Sequence, residues 1–456
     1  MPLPAVRSHD PYASLRQIGY RRYLTGAFCA SIGRQMGSVA ITWQIYKWTH
    51  SATALGLVGL LNVIPLLLLS LPAGSLADRS DRKTVVSLTT LGVSLLSILL
   101  AGVAYFHTHV PPLPLLNMAN GALRHLAIAF EHNEALVDFS HPALPILYLI
   151  LFFIAVLRIL GWPSRSSIVP LLVPPELLSN AVTWNSSTFE IATMAGPAIG
   201  GFLIAWTDFS IVYLLDALCG ITLVILLTRV HYLSNPPPST ATRSLRGMLA
   251  GAEFIWRKKV ILGASSLDLF AVLLGGAVAL LPIYADRILH VGPIGLGWLR
   301  AAPSIGAFSM ALWIAHRRPM RRPGLMMLWA VGGFGIAIFI FGISKWFWLS
   351  FIALIATGIF DNVSVVVRQS LVQLLTPNHL RGRVTSVNQI FVGSSNEIGT
   401  LRAGLMAAVI GPVAAVLWGG VGTIAVVLLV AKFVPQLRSL PPLNQLKSED
   451  EFDSKN

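Results

Sequence analysis

Twelve long apolar runs, separated by polar segments, account for most of this chain. A helix needs about 20 mostly apolar residues to cross the hydrocarbon core of a bilayer. The runs reach that length, so the pattern predicts an all-α membrane protein with twelve transmembrane helices. The predicted spans are 23–47, 54–77, 84–106, 144–163, 180–206, 210–230, 260–284, 293–315, 324–343, 346–367, 384–410 and 411–434.

Two polar interruptions are longer than the others. The segment 232–259 contains the proline-rich run Asn235 to Thr240 and then basic residues, and it is predicted to link two six-helix halves. The segment 107–143 is predicted to be a periplasmic insert in the first half, with an interfacial amphipathic helix over 115–137. The predicted domains are an N-terminal tail 1–22, a first bundle 23–231 with the insert 107–143, the linker 232–259, a second bundle 260–434 and a C-terminal tail 435–456.

Lysine and arginine are distributed unequally between the two sides of the membrane. If the N-terminal tail is cytoplasmic, 26 of the 33 basic residues lie in cytoplasmic segments, four lie outside and three lie within spans. The positive-inside rule then predicts that both termini are cytoplasmic. This topology explains the net charge of +14, so nucleic acid is not an expected partner.

The composition excludes other classes of protein. Apolar residues make up 55% of the chain and charged residues only 11%, which excludes an ordinary soluble globular protein. The sequence has no Walker-type phosphate-binding loop, no nucleophile signature and no metal-ligand cluster, and the five histidines of the insert lack metal-binding spacing. We therefore predict a protein that is not an enzyme and has no cofactor and no metal.

The chain repeats itself at a shift of 203 positions, which superposes the region of the fourth and fifth spans on that of the tenth and eleventh. Two six-helix repeats indicate a transporter whose substrate site lies between the halves and opens alternately to each side. The coinciding identical pairs are Arg165 and Arg368, Ser167 and Ser370, Leu171 and Leu374, Leu172 and Leu375, Pro174 and Pro377, Leu177 and Leu380, Asn185 and Asn388, Gly196 and Gly399, and Gly201 and Gly404.

A charged loop between the second and third spans contains Gly74, Asp78, Arg79, Arg82 and Lys83 in the order G-S-L-A-D-R-S-D-R-K. Glycine permits close approach of helices, and an aspartate beside cations can form a charge network that holds one closed arrangement. The loop resembles the signature loop of the major facilitator superfamily, G-x-L-A-D-R-x-x-R-K. The resemblance implies the major facilitator fold and a conformational lock at this loop.

The fifth span carries a second motif, formed by Gly196, Pro197, Gly200 and Gly201. It resembles the GPxxGG element of superfamily exporters that exchange substrate for protons. Proline removes a backbone donor and glycine allows tight packing, so the motif predicts a kinked, closely packed helix.

Longer strings resemble a narrower branch, the transmembrane secretion effector or enterobactin-exporter-like family. They include 267–277, 374–377, 380–384, 395–399 and 433–438. That branch contains siderophore exporters and macrolide-type drug pumps. The resemblance therefore implies efflux across the bacterial inner membrane by a multi-pass protein, expected to be a monomer.

Charges at membrane depth are costly unless they are paired or face water, so they mark candidate sites. Spans one, four, seven and ten line the cavity in the superfamily, which selects Arg34, Arg158, Asp268 and Asp361. Arg158 and Asp361 are 203 positions apart, and we predict that they form a gate pair when the cytoplasmic side closes. Arg34 and Asp268 are a second predicted pair. In the alternative, neighbouring helices satisfy each charge permanently.

Proton exchange needs a carboxylate that binds a proton on one side and releases it on the other. Asp268 and Asp361 are the first candidates for this role, and Glu190 and Glu397 in spans five and eleven are the second. The sequence therefore predicts a secondary active exporter, driven by proton antiport, of a siderophore or related small amphiphilic metabolite. A multidrug or macrolide pump and a non-transporting membrane sensor or assembly protein are the alternatives. Small-molecule substrate, protons and membrane lipid are the predicted partners.

Overall fold

The computed structural model describes residues 10–107, 114–130, 139, 141–232, 245–317 and 320–442. Within these ranges, twelve long helices follow one another in the order that the apolar pattern predicts. They are α1 Ile18–Thr49, α2 Ala52–Arg79, α3 Arg82–Tyr105, α4 Leu144–Ser167, α5 Leu178–Trp206, α6 Phe209–Thr228, α7 Lys259–Gly275, α8 Gly292–Ala315, α9 Pro323–Ile343, α10 Phe347–Leu375, α11 Asn378–Ile410 and α12 Pro412–Phe433.

Nine segments of the described chain are long and apolar enough to cross a membrane by length and composition alone. The remaining long helices, α1, α8 and α11, carry ionisable residues in their interior, namely Arg34, Arg300, and Glu397 with Arg402. A helix that faces other helices or a cavity can carry such residues. The regular structure of the described residues is entirely helical, and the predicted all-α membrane fold is confirmed.

The two halves pack in the same way. In the first half, α1 contacts α5 and α6, α4 contacts α2 and α3, and α3 contacts α6. In the second half, α7 contacts α11 and α12, α10 contacts α8 and α9, and α9 contacts α12. Adding six to each helix number converts the first set into the second, so the predicted pseudo-symmetric pair of six-helix bundles is confirmed.

The two halves meet through α2 with α11 and through α5 with α8. The linker side is the end of the bundle where α6 ends and α7 begins, and the insert side is the opposite end. At the insert side both crossings join glycine to glycine. A Cβ on Gly56 would lie 3.1 Å from the Cα of Gly404, and a Cβ on Gly201 would lie 2.9 Å from the Cα of Gly297. The backbones of the two halves are therefore in direct contact at the insert side.

Helix α7 does not continue unbroken to the insert side. It ends at Gly275, and a series of 3₁₀, α and π turns extends the segment to Ile288. A Cβ on Gly276 would lie 2.9 Å from the carbonyl oxygen of Gly399 on α11, so the helix breaks where two backbones meet. The sequence predicts one continuous run over 260–284, and the structure divides that run.

Two further helices lie in the predicted insert and linker. The insert helix, Pro114–Phe130, contacts α2, α4 and α11. The linker helix, Leu245–Arg257, packs on α11, where a Cβ on Gly251 would lie 2.9 Å from the carbonyl carbon of Arg383. The domain boundaries remain predictions. Parts of the predicted tails, insert and linker lie outside the described residues, namely 1–9, 108–113, 131–138, 140, 233–244 and 443–456.

Candidate functional site

A pocket of about 290 Å³ lies between α1, α4 and α5 in the first half. Its lining combines two arginines, one glutamate, small polar side chains and aromatic rings, and it lies in the part of these helices that is nearer the linker side. Such a surface can bind a molecule with both charged and flat apolar parts. The lining residues are Tyr23, Ala27, Phe28, Ser31, Arg34, Trp162, Arg165, Ser166, Asn185, Ser186, Thr188, Phe189 and Glu190.

Four charged residues of the first half influence one another electrostatically. They are Arg34 on α1, Arg158 and Arg165 on α4, and Asp216 on α6, and we call them the cationic cluster. The guanidinium of Arg34 donates a hydrogen bond of 2.9 Å to the hydroxyl of Ser31. Arg34 and Arg165 line the pocket, so the cluster gives the pocket a positive wall.

Three charged residues form the anionic cluster of the second half, namely Asp268 on α7 and Asp361 and Arg368 on α10. Arg368 pairs with Asp268 at 3.3 Å, and both side chains are only 4% exposed. Arg368 also donates a hydrogen bond of 3.2 Å to Asn388. Asp361 lies near this ion pair without joining it, so it is the carboxylate of this cluster that has no salt bridge to a described residue.

The structure does not bring the two predicted gate pairs together. Among the described residues, Asp268 pairs with Arg368 rather than with Arg34, and Arg158 and Asp361 do not form an ion pair. The carboxylate of the first half that acts on Arg158 is Asp216. An Arg158–Asp361 contact is expected when the linker side is closed, and both pairs remain predictions.

The two clusters have opposite formal charges. Arg165 and Arg368 are equivalent under the 203-residue repeat, but the repeat places Arg158 opposite Asp361. Three arginines and one aspartate make the first cluster positive, and two aspartates and one arginine make the second negative. The repeat therefore keeps two charged positions, 165 with 368 and 158 with 361, while the overall signs of the two clusters are opposite.

The second-rank candidates for proton coupling lie in different places. Glu190 lines the pocket of the first half. Glu397 on α11 accepts a hydrogen bond of 3.1 Å from the amide of Asn62 on α2 and thus joins the two halves. Arg158 and Arg300 act on Glu397 electrostatically. A change in the charge of Glu397 would therefore act at the interface between the halves.

In the signature loop, Arg82 and Lys83 bind the ends of neighbouring helices. Arg82 donates a hydrogen bond of 2.9 Å to the carbonyl of Ser167, and Lys83 donates hydrogen bonds of 3.1 and 2.9 Å to the carbonyls of Thr228 and Val230. These cations satisfy carbonyl groups at the C-terminal ends of α4 and α6. In this conformation the loop stabilises the first half.

The acidic part of the loop is held by a tyrosine from the start of the linker. Tyr232 donates a hydrogen bond of 2.7 Å to Asp81, which also accepts a bond from the backbone of Thr84. Burial opposes ionisation of Asp81, but these hydrogen bonds outweigh it and lower its pKa. Burial and the bond to Asp81 raise the pKa of Tyr232 to about 12. The loop residue Gly74 is buried and Arg79 is exposed, while the side chain of Asp78 lies outside the described set.

The glycines of the second motif pack against two helices. A Cβ on Gly196 would lie 3.1 Å from the carbonyl oxygen of Ile32, and a Cβ on Gly200 would lie 2.9 Å from the Cα of Met36, both on α1. Gly201 contacts α8, and Pro197 contributes its carbonyl oxygen to the same crossing. The motif therefore lies where α1, α5 and α8 meet.

Sequence reasoning missed a set of contacts between the halves near the insert side. Lys47 pairs with Asp286 at 2.6 Å, and the guanidinium of Arg287 lies 5.8 Å from the ring of Tyr46. Lys47 and Arg287 are two of the four basic residues that the positive-inside rule places outside the membrane, and that rule gives them no further role. Both residues lie at the ends of spans one and seven, and these spans line the cavity in the superfamily. That placement is the sequence signal that could have predicted a contact between the halves.

A second missed contact lies deeper in the bundle. Arg300 on α8 donates hydrogen bonds of 2.7 Å to the hydroxyl of Ser38 and 3.0 Å to that of Thr42, both on α1. The sequence marks Arg300 as an intramembrane charge, but span eight was not among the helices expected to line the cavity. Together with the glycine crossings, these contacts close the halves against each other at the insert side.

The comparisons with known proteins agree with this architecture. A family model described as Major Facilitator Superfamily matches residues 23–399. The enterobactin exporter EntS of Shigella boydii serotype 18 is 26% identical over 429 residues, which cover 93% of this chain and 94% of that protein. EntS of Escherichia coli O81 matches with the same identity and coverage.

Solved structures share the fold at low sequence identity. A bacterial homologue of the human lysosomal transporter Spinster, in an inward-facing and occupied conformation, has a TM-score of 0.64 at 14% identity and covers 94% of this chain and 99% of its own. A bacterial homologue of the iron transporter ferroportin, in an inward-facing state, has a TM-score of 0.61 at 17% identity and covers 91% of this chain and 99% of its own.

Proposed function

Because this chain belongs to the Major Facilitator Superfamily and is a multi-pass membrane transporter rather than an enzyme, we propose that it exports a siderophore or related small amphiphilic metabolite by proton antiport. The observation that carries the proposal is the pocket of the first half. Arg34 and Arg165 supply positive charge there, and Trp162, Phe28 and Phe189 supply flat apolar surface. An aromatic anion matches both features.

The similarity to enterobactin exporters supports the same class of cargo. Their sequences align with 93% of this chain, so the likeness covers both halves and not one motif alone. The aromatic side chains of the pocket also favour a second candidate, a multidrug or macrolide-type pump. Arginine in the pocket wall favours anionic cargo over the cationic or neutral drugs that such a pump also carries.

The anionic cluster supplies the proton site of the proposed mechanism. Asp268 is paired with Arg368, whereas Asp361 has no salt bridge within the described part of the chain and can exchange a proton as the halves move. One proton moving down 100 mV provides about 2.3 kcal/mol. Since about 1.4 kcal/mol corresponds to a tenfold ratio, one proton per cycle supports a cargo gradient of roughly fiftyfold.

The proposed orientation follows from the distribution of basic residues. With the linker side in the cytoplasm of a bacterium, the pocket lies nearer the cytoplasm and the closed crossings lie toward the periplasm. Cargo then enters from the cytoplasm, and closure of the linker side brings Arg158 toward Asp361. The protein works as a monomer in the inner membrane, because each chain contains both halves of the site.

The test is cargo-dependent proton flux in liposomes that contain the purified protein and an imposed pH gradient. Iron-free enterobactin and erythromycin are the two probes, and Asp361→Asn is the variant. We expect flux with enterobactin in the wild type and at least a tenfold loss in Asp361→Asn. Asp208→Asn, at the exposed start of α6, is the matched control and should keep the wild-type flux.

Three other outcomes would each contradict a part of the proposal. Intact flux in Asp361→Asn contradicts the role of Asp361 as the proton carrier. Flux with erythromycin alone contradicts siderophore export and supports the drug pump. An absence of flux with both probes in the wild type contradicts proton-coupled export of either class.

A further inference from the structure

The carboxylate of Asp216 reaches the cationic cluster from α6, a helix that contributes no residue to the pocket lining. The hydroxyl of Ser97 on α3 donates a hydrogen bond of 2.8 Å to it. On the other side it lies against α1, where a Cβ on Gly33 would lie 3.0 Å from one carboxylate oxygen and a Cβ on Gly37 would lie 3.4 Å from the other. Two glycines one turn apart therefore make room for this side chain.

The charges that act on Asp216 are Arg158 and Arg34, from two helices that line the pocket. Each arginine has to be desolvated in the bundle, and charges of like sign on adjacent helices repel. Asp216 is the carboxylate of the cationic cluster, so it offsets part of this repulsion. Without it, three guanidinium groups would share the region with no counter-ion from the same cluster.

The repeat shows that packing alone does not require an acid at this position. Helices α6 and α12 begin 203 residues apart, at Phe209 and Pro412, and the same shift carries Asp216 to Gly419. Gly419 lies against the carbonyl of Leu274 on α7. At the position equivalent to Asp216, α12 therefore packs on α7 through a glycine, and the acid at this position occurs only in the half whose cluster is positive.

We propose that Asp216 is a positioning residue that balances Arg34 and Arg158 and thereby sets the charge that the cargo must neutralise. The charge balance is independent of the proposed function, whereas the effect on cargo selection rests on it. With Asp216 ionised, part of the positive charge of the pocket wall is already neutralised. Replacing it by a neutral residue makes the pocket one charge more positive and favours cargo with an additional negative charge.

The charge balance is tested by a double-mutant cycle on thermal stability of the full chain in detergent. We expect Asp216→Asn to lower the melting temperature and Asp216→Asn/Arg158→Gln to restore at least half of the loss. Asp216→Glu should remain near the wild type. The control is the same substitution at the N-cap of the same helix, Asp208→Asn, tested alone and together with Arg158→Gln. These two variants should show no such coupling.

A purely structural role gives a different result. If Asp216 only receives the hydrogen bond from Ser97 and fills the space at Gly33, then Arg158→Gln does not restore the stability lost in Asp216→Asn. That outcome overturns the proposal. If Asp216→Asn fails to fold, folding of the double variant supports the proposal and failure of both variants overturns it.

The effect on selection is tested with two aromatic probes, 2,3-dihydroxybenzoate as the monoanion and phthalate as the dianion. In Asp216→Asn, the ratio of the Kd for the monoanion to that for the dianion should rise about tenfold over the wild type, because one more positive charge acts on each negative charge. An unchanged ratio overturns the role in selection. If stability is coupled but neither probe binds any variant, the charge balance stands and the anionic cargo of the proposed function is contradicted.

Discussion

The ion pair of Asp268 and Arg368 is the most buried charge contact between described residues, since each side chain is only 4% exposed. A buried pair depends on both partners, because removing one leaves an uncompensated charge away from water. The pair also engages Asp268, so that among the described residues Asp361 is the carboxylate of the anionic cluster outside an ion pair.

We therefore expect Arg368→Gln to lower the free energy of unfolding by about 3 kcal/mol, measured by denaturation in detergent. The control is Arg165→Gln at the equivalent position of the first half, where the arginine lines the pocket and forms no ion pair with any residue that the structure describes. It should cost much less stability. Equal losses of unfolding free energy in Arg368→Gln and Arg165→Gln would show that the ion pair with Asp268 adds no stability.

At the residue scale, the sequence identified charged positions and not their partners. Asp268 and Asp361 stood out because ionisable residues within apolar runs are rare. Arg368 is one of the 26 basic residues that the positive-inside rule assigns to cytoplasmic segments, so the sequence gives no sign of its pairing. Pairing depends on which way each side chain points across helices about 100 residues apart, and a single sequence does not contain that information.

The crossings between α2 and α11 and between α5 and α8 depend on glycine, which has no side chain to keep the backbones apart. Gly56 and Gly404 bring two backbones into contact, so a branched side chain at either position has no space in the arrangement closed at the insert side. We expect Gly404→Val to separate the two halves there. Distances between spin labels at the insert ends of α5 and α8 should broaden toward longer values, and transport should fall severalfold.

Gly102→Val is the matched control for this experiment. Gly102 lies on α3, and among the described residues no heavy atom beyond its own helix and chain neighbours lies within 4 Å of the Cβ that it would carry. The same substitution there should leave the distances unchanged. Unchanged distances in Gly404→Val as well would contradict a crossing that requires glycine.

At the element scale, apolar run length predicted the twelve helices and their order. It did not predict the break in α7, because the run 260–284 stays apolar on both sides of the break and periodicity does not report where a neighbouring backbone approaches. The adjacent glycines Gly275 and Gly276 were the local signal. The glycine motif of α5 was predicted to pack tightly, but its partners α1 and α8 emerge only from the fold.

For the whole molecule, the glycine crossings between the two halves lie at the insert side, so the described conformation is closed at that side. Lys47 and Asp286 form an ion pair between the first and second halves near the insert side, and both side chains are partly exposed to solvent. Exposed pairs contribute about 0.2–1 kcal/mol and weaken as salt increases. A contact of this strength can adjust an equilibrium between conformations, but it cannot determine that equilibrium.

We expect Asp286→Asn to raise the fraction of molecules open at the insert side by up to about fivefold, measured by label distances at low salt. The effect should shrink at 1 M salt, where the pair is already screened. Lys345→Gln, an exposed cation between α9 and α10 within the second half, is the control. A population that does not respond to Asp286→Asn would show that the glycine crossings alone hold this side closed.

The opposite signs of the two clusters also create an electric field that runs across the bundle. A field from the first half to the second lies in the plane of the membrane, at right angles to the membrane potential. We expect a dipolar molecule between the clusters to turn its negative end toward α1 and α4. The membrane potential tilts such a molecule toward the membrane normal without changing which half its negative end faces. We therefore expect bound cargo to have a single in-plane orientation, whatever the size of the membrane potential.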